Sequence, residues 1–474
     1  MRREESLIKE IFKLLNDNQN VLSCTIAGSI ENLDLDSISD IDIIVILDFV
    51  NRHKLEKIKN DLSSINLSNL NIKKEIFIND TFGPLKFNNN KNLVLHLMIY
   101  DYDSHLKHVI NSPFTCFDWE RSEHYIKTPL RGLPSVHKLM LNDFFSSRRG
   151  SKEYIKDLNN NRISYRKYVD KNNAMVQEKF YFDLDERHLI EFAYHIMFNS
   201  IGNLIKLFEN NNFKYSIEEF LFKWKIYFQD LHQKYSQDFL EIYKMKHKKI
   251  YEPKEIKNIV KSFLEDFNNY LDHISKGEKR LVLIRHFETD LNDGRFLGSS
   301  NDIGIKKEID SEEILTNDNF SNFDIFCSPS KRCIETAEKL GFSNFQMLNE
   351  LKEINYGDAE GKFFDQVLNE NKYIQDALDL DRDFKFPNGE SNKDVINRIS
   401  NLTSTLNDDT AFITHQGVIR ALVGSSLEIP INRWYLINVP HATPIEFIKI
   451  NGKYLLNIDR ILFSKMMESF NEQL

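Results

Sequence analysis

From Lys279 onward the chain alternates short apolar runs with amphipathic stretches, and this alternation constrains its fold more than any other feature. Arg280–Arg285, Phe323–Cys327 and Ala411–Thr414 read as buried-type strands, from their apolar and β-branched content. Helical periodicity occupies 330–341, 392–406 and 417–427. Strands that alternate with helices predict a three-layer α/β/α domain on a largely parallel sheet. In such sheets ligands sit at the carboxyl ends of the strands.

Those ends carry reactive residues. The first run continues into Arg285-His286-Phe287-Glu288-Thr289 and Asn292, the second into Ser328-Pro329-Ser330-Lys331-Arg332, the third into His415-Gln416-Gly417. A guanidinium offers a fixed fork of donors that suits phosphate oxygens. An unprotonated imidazole is a competent nucleophile toward phosphorus, and a second imidazole can help neutralise the equatorial oxygens. A cysteine-phosphatase loop is excluded, because Cys327 and Arg332 are separated by four residues and that loop needs about five. Gly357 to Gly361-Lys362 is one residue short of a P-loop and lacks its Ser/Thr.

Residues 279–450 resemble the histidine phosphatase family, which includes the cofactor-dependent phosphoglycerate mutases. The resemblance lies in ordered motifs: Arg285-His286, Glu288-Thr289 and Asn292; Ser328-Pro329, Arg332, Thr336 and Ala337; Leu351 to Gly357 with Glu360-Gly361; Pro387 to Ser391 with Arg398; and His415-Gln416-Gly417. It implies that His286 is the phosphorylated nucleophile. Arg285, Arg332 and His415 would hold the phosphoryl group, with Asn292 and Glu288 binding substrate. Glu353 would serve as general acid and then base. No metal or other cofactor is required on this reading. Phe287 stands where the family has Gly and is expected to narrow the pocket mouth or press on the substrate; Gln416 replaces a common Gly.

Near the amino terminus, Leu7, Ile8, Ile11, Phe12 and Leu15 form one helical stripe, followed by short strands at Val21–Ile26, Ile41–Asp48, Ile72–Ile78 and Leu93–Tyr100. Gly28-Ser29 closes the first strand, and Asp40-Ile41-Asp42 opens the second. Residues two apart on a strand face the same side, so Asp40 and Asp42 could share a hard cation. A Gly-Ser turn lets backbone and hydroxyl approach a triphosphate. Residues 5–105 look like the polymerase-β-type nucleotidyltransferase superfamily. That resemblance implies Mg2+ at Asp40 and Asp42, and Gly28 and Ser29 against a nucleoside triphosphate. Active members add a third carboxylate from a neighbouring strand; here that place falls on His96, with Glu75 or Asp101 as substitutes.

Between these regions the pattern turns helical, notably in Ile190–Phe208 and Ile217–Leu231, with loops near Asn159–Asn161 and Asn210–Asn212. Arg148, Arg149 and Lys152 are weak triphosphate candidates; the Lys244, Lys246, Lys248, Lys249 cluster reads as a solvated helix face. Formal charge is −1 over 1–150, +2 over 151–277 and −10 over 278–474. No segment is basic enough for a nucleic-acid footprint, and the shift near 278 marks a boundary. The expected architecture is multidomain α/β. It comprises a nucleotidyltransferase-like domain (1–135), a helical domain packed on it (136–277) and a histidine phosphatase domain (278–474).

No apolar run is long enough to cross a bilayer, and no secretory signal is evident. Cys24, Cys116, Cys327 and Cys333 form no CxxC pair and read as buried thiols of a cytoplasmic protein. The expectation is a bifunctional enzyme. It would hydrolyse a phosphate monoester through phosphohistidine and transfer a nucleotidyl group, with Mg2+, from a nucleoside triphosphate to a small phosphorylated metabolite. One alternative keeps only the phosphatase, beside a catalytically dead nucleotide-binding module. Another is a protein-modifying nucleotidyltransferase with phosphatase counter-activity. Oligomeric state is open.

Overall fold

The computed structural model describes residues 3–28, 40–83, 91–147, 151–172, 174–211, 215–248, 255–300, 303–307, 320–380 and 382–472. The chain divides into two compact units, Met1–Tyr270 and Leu271–Gln473.

In the first unit α1 (Arg3–Asn16) precedes β1 (Val21–Ala27) and β2 (Asp40–Leu47). Next come α2 (Arg52–Ser63), β3 (Glu75–Asn79), β4 (Asn92–Asp101), α3 (Tyr102–Asn111), α4 (Pro113–Trp119) and β5 (Tyr125–Lys127). The sheet order is β3-β4-β2-β1-β5. β3, β4 and β2 run parallel, and β1 is antiparallel to both β2 and β5. Strand alternation gives the sheet two different faces. Ile41, Ile43, Val45 and Leu47 of β2 join Leu93, Leu95, Leu97 and Ile99 of β4 in a core with Leu7, Ile11 and Leu15 of α1 and Ile58 of α2. Asp42 and its register partner His96 sit on the intervening positions.

The segment expected to be helical contains a β-hairpin, which corrects that reading. After α5 (Asp143–Ser146) and α6 (Ser151–Asn159), β6 (Arg162–Lys171) pairs antiparallel with β7 (Ala174–Asp183). Asn172 at the turn has a φ of 53°, the left-handed conformation that favours Asn in tight hairpins. Charged and aromatic residues sit on both faces of these strands, and this composition hid them beside true helices. The helices follow as α7 (Glu186–Glu209), α8 (Ile217–Tyr227), α9 (Gln229–Lys248) and α10 (Ile256–Lys276). Buried rings of α8 and α9 pack together, with Phe220 and Phe239 5.4 Å apart and Trp224 and Phe239 5.6 Å apart. Lys246 lies 3.8 Å from the Tyr194 ring centroid; Lys249 is outside the described residues.

In the second unit β8 (Lys279–Arg285), β9 (Asp324–Cys327), α11 (Lys331–Lys339) and β10 (Gln346–Met347) are followed by α12 (Phe364–Glu370), α13 (Lys372–Asp379) and α14 (Asn392–Thr405). The rest comprises β11 (Thr410–Thr414), α15 (Gln416–Ser426), β12 (Pro444–Ile450), β13 (Lys453–Leu456), α16 (Arg460–Met466) and α17 (Glu468–Glu472). The six-stranded sheet has the order β10-β9-β11-β8-β12-β13. Its first four strands are parallel; β12 is antiparallel to β8 and β13. Val282, Ile284, Ala411 and Ile413 pack against Cys333, Ala337 and Leu340. Leu281, Leu283 and Phe412, on the intervening positions, are also fully buried, so both faces are covered. All four cysteines are free and buried.

Phe412 lies in the central strand β11 with no exposed surface. Phe412→Ala should cost about 3–5 kcal/mol of stability in urea unfolding followed by fluorescence. A loss under about 1 kcal/mol would contradict this core assignment.

Candidate active site

β8 and β11 are adjacent, parallel and in register at Arg285 and Thr414, so the residues that follow them emerge side by side. The His286 main-chain N–H donates to the Thr414 carbonyl (3.0 Å), and the rings of His286 and His415 lie 5.3 Å apart. Parallel pairing thus brings together two histidines separated by more than a hundred residues of chain.

Each ring has a defined tautomer. His286 Nδ1 lies 2.6 Å from the Phe287 carbonyl oxygen, which can only accept. Nδ1 therefore carries the proton, and Nε2 keeps its lone pair. In His415 the pattern is reversed. Arg332 Nε donates to Nδ1 (3.2 Å), so the proton sits on Nε2, which donates to Ser328 Oγ (2.8 Å). Burial, and then the Arg332 charge, hold both histidines well below the usual imidazole range. Both are neutral at neutral pH.

The cations around them are fixed by backbone. Arg332, buried on α11, donates through Nη2 to the Gly298 carbonyl (3.2 Å). Arg285 donates through Nη1 to the Val439 carbonyl (2.6 Å), while its buried Nε has no hydrogen-bond partner among the described residues. Burial, followed by the neighbouring Arg420 charge, pulls the Arg285 guanidinium down to about 10. Buried like charges with spare donors are stabilised by an arriving anion.

Glu353 is buried, and its Oε1 accepts from the Ile354 N–H (2.9 Å) and from the Gly417 N–H in the first turn of α15 (3.0 Å). A Cβ on Gly417 would lie 2.4 Å from that oxygen, so a larger residue here would push the Glu353 carboxylate aside. The flanking chain is clamped. Arg398 donates to the carbonyls of Glu350 and Lys352 and to Glu390, and Glu390 accepts from the Asn355 N–H (2.9 Å). Gly357, at φ +53°, passes so close to Pro387 that a Cβ would meet its carbonyl oxygen at 2.0 Å. The motif Pro387 to Ser391 with Arg398 therefore positions the chain around Glu353.

Other expected residues take different places. Asn292 Oδ1 accepts from the N–H and Oγ1 of Thr289 (2.6 and 2.9 Å), which holds the loop after His286. Glu288 is paired with Lys306 at 2.6 Å, half-exposed. Phe287 does not narrow the pocket mouth: its side chain is buried with Ile284, Phe320, Cys333 and Ala337, and its N–H donates to Thr336 Oγ1 (2.9 Å). Three residues were not anticipated. His441 donates from Nδ1 to the His286 carbonyl (2.7 Å), and burial, followed by the Arg285 charge, takes it down to about 4. Arg420 donates from Nε to the Ile437 carbonyl (2.8 Å), and its charge reaches Arg285. Tyr356 lies near both arginines and Glu353, and burial pushes its hydroxyl up. His441 lies between Pro440 and Pro444 just before β12, a placement that marks it only once β12 is known to flank β8.

In the first unit Gly28 takes φ +95°, which requires glycine, and its Cβ position lies 3.7 Å from Asp42 Oδ2. Ser29, Arg148 and Arg149 are outside the described residues, as is the side chain of Lys152. Asp40 and Asp42 open β2, with His96 opposite Asp42. His96 Nδ1 lies 2.7 Å from Asp42 Oδ1, and Nε2 lies 2.8 Å from the Thr81 carbonyl oxygen. Both ring nitrogens therefore face accepting oxygens, and neither offers a lone pair to a cation. Asp101 caps α3 through Ser104, and Glu75 lies at the exposed start of β3. Among the described residues no three His, Cys, Asp or Glu side chains are arranged to hold a metal ion. A cation at Asp40 and Asp42 would have to compete with the His96 hydrogen bond for Asp42 Oδ1. No helix among them is long and apolar enough to cross a membrane.

Residues 281–455 match the histidine phosphatase superfamily (branch 1). Human 6-phosphofructo-2-kinase/fructose-2,6-bisphosphatase 4 is 27% identical over 191 residues, which are 38% of this chain and 40% of that protein. Agropine synthesis reductase of Rhizobium rhizogenes is 27% identical over 168 residues, 31% of this chain and 36% of the relative. The chain thus spans well under half the length of the curated relatives it matches. Among solved structures, TTHB049 of Thermus thermophilus is 26% identical, covering 38% of this chain and 97% of that one, with a TM-score of 0.31. A mycobacterial glucosyl-3-phosphoglycerate phosphatase is 22% identical, covering 38% and 98%, with a TM-score of 0.33.

Gly417→Ala should displace the Glu353 carboxylate and lower kcat for alkyl phosphates by about 10²-fold, and for aryl phosphates much less, because aryl leaving groups need no proton. Equal losses for both ester classes would contradict this positioning role.

Proposed function

We propose, from the premise that its C-terminal region is of the histidine phosphatase superfamily, that this chain hydrolyses small phosphate monoesters through a phosphohistidine at His286. The observation that carries this reading is the free lone pair of His286 Nε2, set by the Nδ1 bond to the Phe287 carbonyl and flanked by Arg332, Arg285 and His415. Nε2 attacks phosphorus, a P–N bond forms, and the ester P–O bond breaks. The leaving oxygen takes a proton from the Glu353 carboxyl group. Water then attacks the phosphohistidine, gives its proton to Glu353, and the P–N bond breaks to release phosphate. The guanidinium groups stabilise the charge on the equatorial oxygens throughout, and His415 holds Arg332 Nε and Ser328 in place beside them.

The preferred substrates carry a second acidic group. Arg420 supports this, since a second buried guanidinium beside Arg285 and Tyr356 exceeds what one phosphoryl group needs. The human relative is named in part for a bisphosphatase, an enzyme of that substrate class.

The bifunctional reading adds nucleotidyl transfer from a nucleoside triphosphate in the first unit. It is supported only by the placement of Gly28, Asp40 and Asp42 around the start of β2. The His96 hydrogen bonds stand against it, and the phosphatase-only alternative is the better supported one.

His286→Ala should abolish 4-nitrophenyl phosphate turnover to below about 10⁻³ of wild type while the melting temperature is kept. Retained turnover would remove the assignment. Because the His286 pKa is depressed, protonation should not silence it on acidification from neutral pH through 6.5. Over about pH 5 to 8, kcat/KM should show no acid limb at the ordinary histidine value. A limb near 6.5 that vanishes with His286 would contradict the buried, neutral nucleophile. Arg420→Met should raise KM for bisphosphates roughly tenfold or more and leave monophosphates little changed.

A further inference from the structure

The first unit holds a cavity of about 340 Å³, whose lining includes Asp42 and His96. Its size falls in the range of small-molecule sites. One wall is aromatic. Tyr100, His108 and Trp119 form a compact ring cluster, with His108 stacked on both at 5.1 and 5.2 Å, and Phe82 lies tilted 5.1 Å from Tyr100. Facing rings from Phe114, Phe144 and Phe192 complete an apolar slot. On α7, His195, Asn199 and Asn203 recur at four-residue spacing, so they share one face of the helix and line the cavity as a polar stripe. Asn199 and Asn203 are half-buried there and can orient a polar guest.

The hairpin supplies charge. Arg166 on β6 and Lys179 on β7 are direct cross-strand partners, and both line the cavity. Like charges directly opposite each other destabilise a strand pair. Arg166 is held toward the hairpin by Gln177 (2.8 Å). An anion between the two cations would convert that repulsion into a binding contact worth about 1.5–3 kcal/mol per charged hydrogen bond. The cavity is also lined by Asp42, whose carboxylate faces the His96 ring, itself anchored to the Thr81 carbonyl.

We propose that this chamber binds a small planar ligand bearing an acidic group, and that it does so without a divalent cation. The ring stacks in the aromatic slot, the acidic group meets Arg166 and Lys179, and Asn199 and Asn203 read the ring's polar edge. This inference is independent of the phosphatase reading.

The test uses the full chain carrying His286→Ala, so that no probe is hydrolysed. AMP, UMP and phenyl phosphate, each a ring with one phosphate, are titrated by calorimetry in Mg2+ and in EDTA. Adenosine and inorganic phosphate supply the ring and the anion alone. At least one of the three phosphates should bind, more tightly than either fragment, with the same affinity within about twofold in both buffers. Lys179→Glu, at an exposed position that should fold normally, should weaken binding roughly tenfold or more. Adding Arg332→Ala should leave it unchanged. The proposal is overturned if none of the three binds, if binding needs Mg2+, or if it survives Lys179→Glu and is lost with Arg332→Ala. Mn2+ uptake followed by electron paramagnetic resonance provides the second readout. The same chain should take up no Mn2+ that depends on Asp42, and uptake abolished by Asp42→Asn would equally overturn the proposal.

Discussion

One hydrogen bond, from His286 Nδ1 to the carbonyl of the next residue, is the constraint on which the second unit's chemistry depends. It fixes the proton on one nitrogen and leaves the other nucleophilic. Burial and the Arg332 charge then keep the ring neutral, so the lone pair persists in a strongly cationic setting. The fold serves that ring directly. The parallel register of β8 with β11 delivers His415 alongside it, and α11, starting just past β9, carries Arg332 to the same edge of the sheet. The acid is held differently, by two main-chain N–H groups and by a loop that Arg398 and Glu390 clamp from behind. His286, the two arginines and Glu353 thus come from separate chain segments, with His286 and His415 meeting because the ends of β8 and β11 are aligned.

The first unit uses the same interaction to the opposite effect. His96 also donates to a main-chain carbonyl, that of Thr81, but its second nitrogen is engaged by Asp42. With both nitrogens occupied the ring is neither nucleophile nor metal ligand; it fixes the carboxylate at the edge of the aromatic chamber. Comparing the two histidines shows why residue type alone cannot assign a role. What matters is which ring nitrogen remains free.

Much of the second unit was legible because its motifs follow strand ends. The apolar runs locate the strands, and parallel connectivity puts their carboxyl ends on one edge. Arg285, His286, Arg332 and His415 could be named in this way, whereas Glu353 came only from the family resemblance. His441, Arg420 and Tyr356 could not, because their proximity to His286 and Arg285 arises from β12, α15 and a loop whose placement no local spacing encodes. Phe287 was misread for a related reason: adjacency to the nucleophile position suggested the pocket, whereas the chain past the end of β8 turns its side chain into the core with Ile284 and Cys333. In the first unit the four strands were legible from alternation, while the hairpin β6–β7 was not, since charged and aromatic residues share both of its faces.

The most direct measurement is 31P and 15N NMR of the denatured phosphoenzyme, trapped from a slow substrate with histidine-labelled protein. The account predicts a single phosphorus bonded to Nε2 of His286. Phosphorus on Nδ1, on a serine or a cysteine, or on any other histidine would contradict it.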